Sequence, residues 1–317
     1  MTRLGGFLSK QGRFLLENDK QALVYIAVLA LIPLTGWLAA AIIALITLRK
    51  GFREGLKGFL VAFMALLTLS LMTQSLYAAF INAALVFIPC YLTAAVLHST
   101  RSWKLAGGVI VLQALLVIVL IHWLTPEFIT NQIQYIQAIF HGHEKESFDS
   151  TALELLNNQS KFRQKIVAHY LLGVQSIVMA MSALASLTLA RSIQSRLFNP
   201  GGFRQEMLEF RASAPGVCVL GIAAIGAYQH NLLAISCLPI LATYYVFAGL
   251  SLTFRIIAKD KDKDKVKGIG NMVLLVVPLF ILPFVMLPAY TILGALDSLF
   301  NFRTYLPFKT DKKEKKG

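Results

Sequence analysis

Six stretches of this chain run without a single Asp, Glu, Lys or Arg: residues 21–48, 59–97, 105–124, 166–189, 216–254 and 269–296. A helix needs about 20 apolar residues to cross a hydrocarbon core of about 30 Å. Each stretch reaches that length, and 59–97 and 216–254 are long enough to cross twice. A backbone in lipid must satisfy its own hydrogen bonds, and helices are the means available to apolar runs of this length. The chain is therefore expected to be an all-α, polytopic integral membrane bundle of about eight membrane segments. Only 15% of its residues are charged, against roughly 25% in soluble domains.

Two of the segments carry breaks. In 21–48 the sequence Pro33-Leu-Thr-Gly36 interrupts the run, and Pro removes a donor and clashes with the preceding turn. Either one tilted, kinked helix or two half-length helices meeting at the break fits the run. Basic residues at both ends favour the second, an in-and-back path. The last run, 269–296, contains Pro278, Pro283 and Pro288 and is expected to be kinked or broken as well. Turns are expected near Gln74-Ser75 and near Gln229-His230-Asn231, where polar residues divide the two long runs.

The formal charge of +14 would suggest nucleic acid in a soluble chain. Here the cations fall between apolar runs, so they fit topology and anionic headgroups, and no nucleic-acid partner is expected. Residues 1–20, with Leu4, Phe7, Leu8, Phe14 and Leu15 opposite Lys10, Arg13 and Glu17, read as an interfacial amphipathic helix. Glu17 and Asp19, followed by an over-long apolar run, argue against a cleavable signal peptide. Residues 21–300 form the membrane domain. The basic loops at 49–57 and 101–104, the segment 191–213 and the charged loop 255–268 are assigned inside. The near-neutral segment 125–165 is assigned outside. By the positive-inside rule this places the N-terminus on the cytoplasmic side of the membrane. The basic tail, 301–317, would lie outside after a single crossing of 269–296, or inside if that run bends back.

The most distinctive polar stretch is Arg196-Leu-Phe-Asn-Pro-Gly-Gly-Phe-Arg204, continuing to Arg211. Asn199, Pro200, Gly201 and Gly202 are dense turn chemistry. Phe203, Met207 and Phe210 then fall on one face of a short helix. A helix start beside Arg196 and Arg204 suits an anion; the simpler reading is a rigid turn that seats an amphipathic helix at the inner interface.

The stretch Leu197-Phe-Asn-Pro-Gly-Gly-Phe-Arg-Gln-Glu206 resembles the YybS-like family of bacterial multi-pass membrane proteins, which bear a domain of unknown function. Supporting stretches are Leu48-Arg-Lys-Gly-Phe-Arg-Glu-Gly-Leu56 and Leu293-Gly-Ala-Leu-Asp-Ser-Leu-Phe-Asn-Phe-Arg303. That family is distantly similar to the substrate-binding components of energy-coupling-factor transporters. The resemblance implies a helical domain that binds a small molecule, with a coupling subunit or ATPase in trans. Ala40 and Ala44 fit the small-x-x-x-small pattern by which those components contact the coupling subunit, a pattern that any helix contact can also produce.

Polar groups at membrane depth are costly and default to functional candidates. His122, His169, Gln175, Gln229, His230 and Asn231 fall towards the outer boundary and form the candidate ligand site, the alternative being interhelical hydrogen bonding. Cys90, Cys218 and Cys237 lack metal or disulfide spacing. His141-Gly-His143 and the Lys259–Lys265 run fail the spacing of zinc and calcium sites. No metal and no cofactor is expected. No P-loop, nucleophile–base pair or paired catalytic carboxylates stand out, so an enzyme is not expected. Two functions follow: a small-molecule-binding or transport component with a separate energising partner, or an interaction protein that docks partners through 196–211.

Overall fold

The computed structural model describes residues 3–125, 127–129, 161–259, 277–279 and 281–305. Every regular element among them is helical: α1 (Arg3–Glu17), α2 (Asp19–Leu31), α3 (Gly36–Lys50), α4 (Phe52–Leu71), α5 (Leu76–Thr100), α6 (Trp103–Leu124), α7 (Lys161–Phe198), α8 (Gly202–Glu209), α9 (Ala214–Tyr228), α10 (Leu232–Lys259), α11 (Pro283–Phe300) and a final 3₁₀ turn, Phe302–Tyr305. The protein is an all-α polytopic membrane bundle. Among the described residues, α4, α5, α6, α7, α10 and α11 are each long and apolar enough to cross a membrane, and α8 with α9 makes a seventh if that bent pair is one span. The expected turns appear where the polar residues fall, Ser75 capping α5 by accepting from Ala78 N–H at 3.4 Å.

The eighth expected segment, 21–48, is two half-length helices. At 13 and 15 residues α2 and α3 extend about 20 and 22 Å at 1.5 Å per residue, short of a bilayer core. Asp19 at the start of α2 pairs with Lys50 at the end of α3, so the two ends meet and the path runs in and back. Pro33 stops α2, Leu34 adopts φ +67° at the tip, and Thr35 Oγ1 donates to Leu29 O at 2.6 Å. The side chain that must leave the right-handed region is thus compensated by a hydroxyl that caps a freed carbonyl.

The chain divides into two compact units, one from residues up to Phe203 together with Val219–Leu241, the other from Arg204–Cys218 together with the residues from Ala242 onward. In the first, α3 is the central element. Ala39, Ala40, Ala41, Ala44 and Leu45 are all buried, because small side chains let α2, α4, α5 and α7 close in around it. Gly55 faces Thr47 so closely that a Cβ would collide with its hydroxyl. Polar side chains finish the α3 termini: His98 Nδ1 and Gln194 Nε2 reach Leu48 O at 3.0 and 3.1 Å, and Ser186 Oγ donates to Trp37 O at 2.7 Å. The helix α1 is seated by Gly12, which lies against Ile193 and Leu197 of α7.

In the second unit, α10 and α11 cross backbone to backbone at Gly249 and Gly294; a Cβ on Gly294 would strike Tyr245 O, and one on Gly249 would strike Tyr290 O. The segment after α8 is clamped by two adjacent tyrosines. Tyr245 Oη donates to Ser213 O at 2.8 Å, and Ser213 N–H donates to Tyr244 Oη at 3.1 Å.

Candidate functional site

The first unit holds a cavity of about 320 Å³ between α5, α6 and α7. Its apolar wall includes Val86, Val117, Ile118, Ile121 and Leu172, and its polar lining is Gln175, Ser176 and Ser182. Gln175, Val178 and Ser182 are exposed on α7, so the cavity opens at the surface. The start of α3 packs close to two walls of the cavity. Gly36, its first residue, lies 3.4 Å from Val86 by its notional Cβ, and its neighbour Trp37 is bonded to Ser186, one turn beyond Ser182. The break at Pro33–Gly36 therefore reaches the site through packing.

Beyond the other end of the lining, the structure brings together two of the expected residues. The rings of His122 and His169 lie 4.8 Å apart at a 39° tilt. His122 follows Ile121 and stands one turn from Ile118; His169 stands one turn before Leu172, so each is near the cavity-lining face of its helix. His122 Nδ1 is 2.9 Å from Ile118 O. A carbonyl only accepts, so Nδ1 carries the proton, and Nε2 of the neutral ring is an acceptor. That Nε2 is buried and has no hydrogen-bond partner among the described residues. Leaving such an atom unpaired costs about 1–3 kcal/mol. His169 is 9% exposed, and Ser236 Oγ lies 3.3 Å from its Nδ1 while donating to His169 O at 2.9 Å. Gly173 allows this approach: a Cβ there would come within 2.6 Å of Ser236 O.

The remaining candidates separate. Gln175 lines the cavity. Gln229, His230 and Asn231 are exposed in the turn between α9 and α10. His230 takes φ +60° there, and Asn231 Oδ1 accepts from Leu233 and Ala234 N–H at 3.0 and 3.2 Å, which makes it the cap of α10. Ala40 and Ala44, at 2% and 0% exposure, spend their small-residue contact inside the bundle: Ala40 O accepts from Cys90 Sγ at 3.5 Å.

The 196–211 motif forms a closed turn. Gly201 supplies φ +92°. Ser195 Oγ donates to Asn199 O at 2.8 Å and accepts Phe203 N–H at 3.0 Å, and Gly202 N–H is taken by Asn199 O at 3.1 Å. Two of the N–H groups that an anion would use at this helix start, those of Gly202 and Phe203, are thus engaged within the chain. Arg196 and Arg204 are exposed, as are Asn199 and Pro200. The expected single apolar face is divided, because α8 ends at Glu209 and leaves Phe210 off the helix. Phe203 meets Trp103 edge-on at 6.3 Å, and Phe210 meets Tyr244 at 6.1 Å.

Sequence reasoning passed over the second unit's charged centre. Asp297 is 0% exposed and pairs with Arg303 at 2.8 Å. Arg303 also donates to Leu208 O at 2.7 Å, and Arg211 donates to Asp297 O and Ser298 O at 3.0 and 2.7 Å. Ser251 Oγ adds a bond to Met207 O at 2.8 Å. Burial lowers the Arg303 pKa from its ordinary value, and the bond to Asp297 opposes that shift. This network ties the arm after the motif to α10 and to the end of α11. The one available signal was that Asp297 and Arg303 belong to the terminal stretch that carried the resemblance.

Among the described residues, no group of three or more His, Cys, Asp or Glu side chains could hold a metal ion. The His141–His143 segment, and all but the first residue of the Lys259–Lys265 run, lie outside the described residues, as does most of the basic tail. The chain belongs to the family described as "Predicted membrane protein (DUF2232)", which matches residues 21–298. No curated protein and no solved structure matches it.

Proposed function

We propose that this protein binds a small, mainly apolar molecule within the membrane, in the cavity among α5, α6 and α7. The observation that carries the reading is the cavity itself. It is walled by aliphatic side chains with a few polar groups on one helix, the composition typical of small-molecule sites. Among the described residues no Asp, Glu, Lys or Arg lines it, which suits a ligand without net charge. Its lateral opening gives access to a molecule dissolved in the bilayer. Coupling to an energising ATPase in trans would extend the reading from binding to transport. Ala40 and Ala44, buried within the first unit, do not offer such a partner a surface.

Thermal stabilisation of the purified protein tests the reading. A panel of uncharged, lipid-soluble metabolites is expected to contain compounds that raise the unfolding midpoint of the wild type. The same compounds are expected to leave the midpoint of Ser176→Phe unchanged, because the new ring occupies the cavity. Equal stabilisation of both proteins, or no response across the panel, contradicts a ligand in this cavity.

A further inference from the structure

We infer that the first unit binds an anionic phospholipid where the ends of α3, α5 and α7 meet, with Arg49, Arg53, Arg101 and Arg196 gathered around the headgroup phosphate. The site is separate from the cavity and does not depend on a ligand there. Its centre is the last turn of α3. Leu48 O accepts from His98 Nδ1 of α5 and from Gln194 Nε2 of α7, at 3.0 and 3.1 Å. Gly51, at φ +94°, ends α3 and starts α4, and its notional Cβ is 3.7 Å from His98 Nε2. These contacts bring four arginines to one end of the unit. Arg49 follows Leu48, Arg53 lies in the first turn of α4, Arg101 caps α5 just beyond His98, and Arg196 stands two residues after Gln194. All four are exposed. The turn from α5 to α6, two helices long and apolar enough to cross a membrane, sets this end at a membrane boundary.

The chain leaves these cations unmet. Within residues 1–125 and 161–203 the carboxylates are Glu17, Asp19 and Glu54, and each is already paired, with Arg13, Lys50 and Lys57. Among the described residues none of the four arginines joins an ion pair. A guanidinium meets a phosphate through two parallel N–H···O bonds, and basic clusters beside membrane-spanning helices attract anionic headgroups. Two apolar rings make the occupant a lipid rather than a soluble anion. Phe52 and Phe198 are 52% and 51% exposed beside the arginines. Arg49 Cζ lies 4.0 Å from the centroid of the Phe198 ring, which orients the guanidinium and offers an acyl chain a surface that free phosphate does not use.

The test uses the full chain in an uncharged detergent, with dihexanoyl phosphatidylglycerol, dihexanoyl phosphatidylcholine and inorganic phosphate as probes. Affinity is read from titrations of the unfolding midpoint. Phosphatidylglycerol is expected to bind the wild type at least fivefold more tightly than phosphatidylcholine. The double variant Arg49→Gln/Arg196→Gln is expected to reduce that preference below twofold. Arg163→Gln/Lys165→Gln, which removes the same charge from exposed positions at the opposite end of α7, is expected to keep it. Equal affinity of the two lipids for the wild type overturns the inference, whether or not the arginine variant folds. A preference that both double variants weaken alike overturns it too, because net charge then accounts for the effect. Inorganic phosphate that stabilises the wild type as strongly as phosphatidylglycerol, and is lost with Arg49 and Arg196, overturns the lipid in favour of a soluble anion.

Discussion

The two units of this protein treat polar groups at membrane depth differently. Around α11 a charged pair anchors one network: Asp297, Arg303, Arg211, Ser251 and Ser298 bond to one another or to backbone carbonyls, with Asp297 Oδ1 left without a partner among the described residues, and Gly249 and Gly294 bring the helices into backbone contact. Around α6 and α7 the packing stops short. A cavity lies among α5, α6 and α7, and the His122 Nε2 atom is buried without a hydrogen-bond partner among the described residues. The first arrangement is what a structural joint requires. The second leaves a space that we propose a small apolar molecule fills.

If that contrast is right, changes in the second unit should destabilise and changes at the cavity should not. The largest effect is expected for Asp297→Ala, which strands Arg303 in a buried site. Removing one partner of such a pair costs about 3–5 kcal/mol, seen as a large fall in the unfolding midpoint and poor recovery of monodisperse protein. A midpoint unchanged from wild type would show that the pair is hydrated. Gly294→Val comes next. Its side chain must displace the Tyr245 backbone, and overpacking of this kind costs about 1–3 kcal/mol; differential scanning fluorimetry on the purified variant measures it. Asn231→Ala removes the α10 cap and is expected to lower stability by about 1 kcal/mol, with His230→Ala at the same turn changing ligand binding not at all. Lys50→Ala, which breaks an ion pair whose Asp19 side chain is 63% exposed, is expected to cost about 0.2–1 kcal/mol, an effect that rising salt erases.

Much of this architecture was legible from local chemistry. Pro33 and Gly36 announced the break, and the polar clusters at Ser75 and Gln229–Asn231 marked the hairpin turns, because backbone constraints act on neighbouring residues. The pairing of His122 with His169 was legible too, since two histidines at similar depth on consecutive long helices have few other places to go. Asn231 and His230 misled the same reasoning. Depth along the chain does not distinguish a residue that points into a bundle from one that caps the next helix. The Asp297–Arg303 pair was hidden for a related reason. A charge at the end of an apolar run reads as hydrated, and only the left-handed Asn301, at φ +50°, turns the chain so that Arg303 comes back onto Asp297. The cavity itself was beyond sequence reach, because it depends on how closely α5, α6 and α7 pack.

The most direct measurement is photo-crosslinking with a diazirine derivative of a lipid-soluble compound that stabilises the protein, followed by peptide mapping. The account predicts adducts on residues 117–121 or 172–182 that excess unmodified compound suppresses. Adducts spread over the exposed faces of the other helices and unaffected by competitor would contradict it.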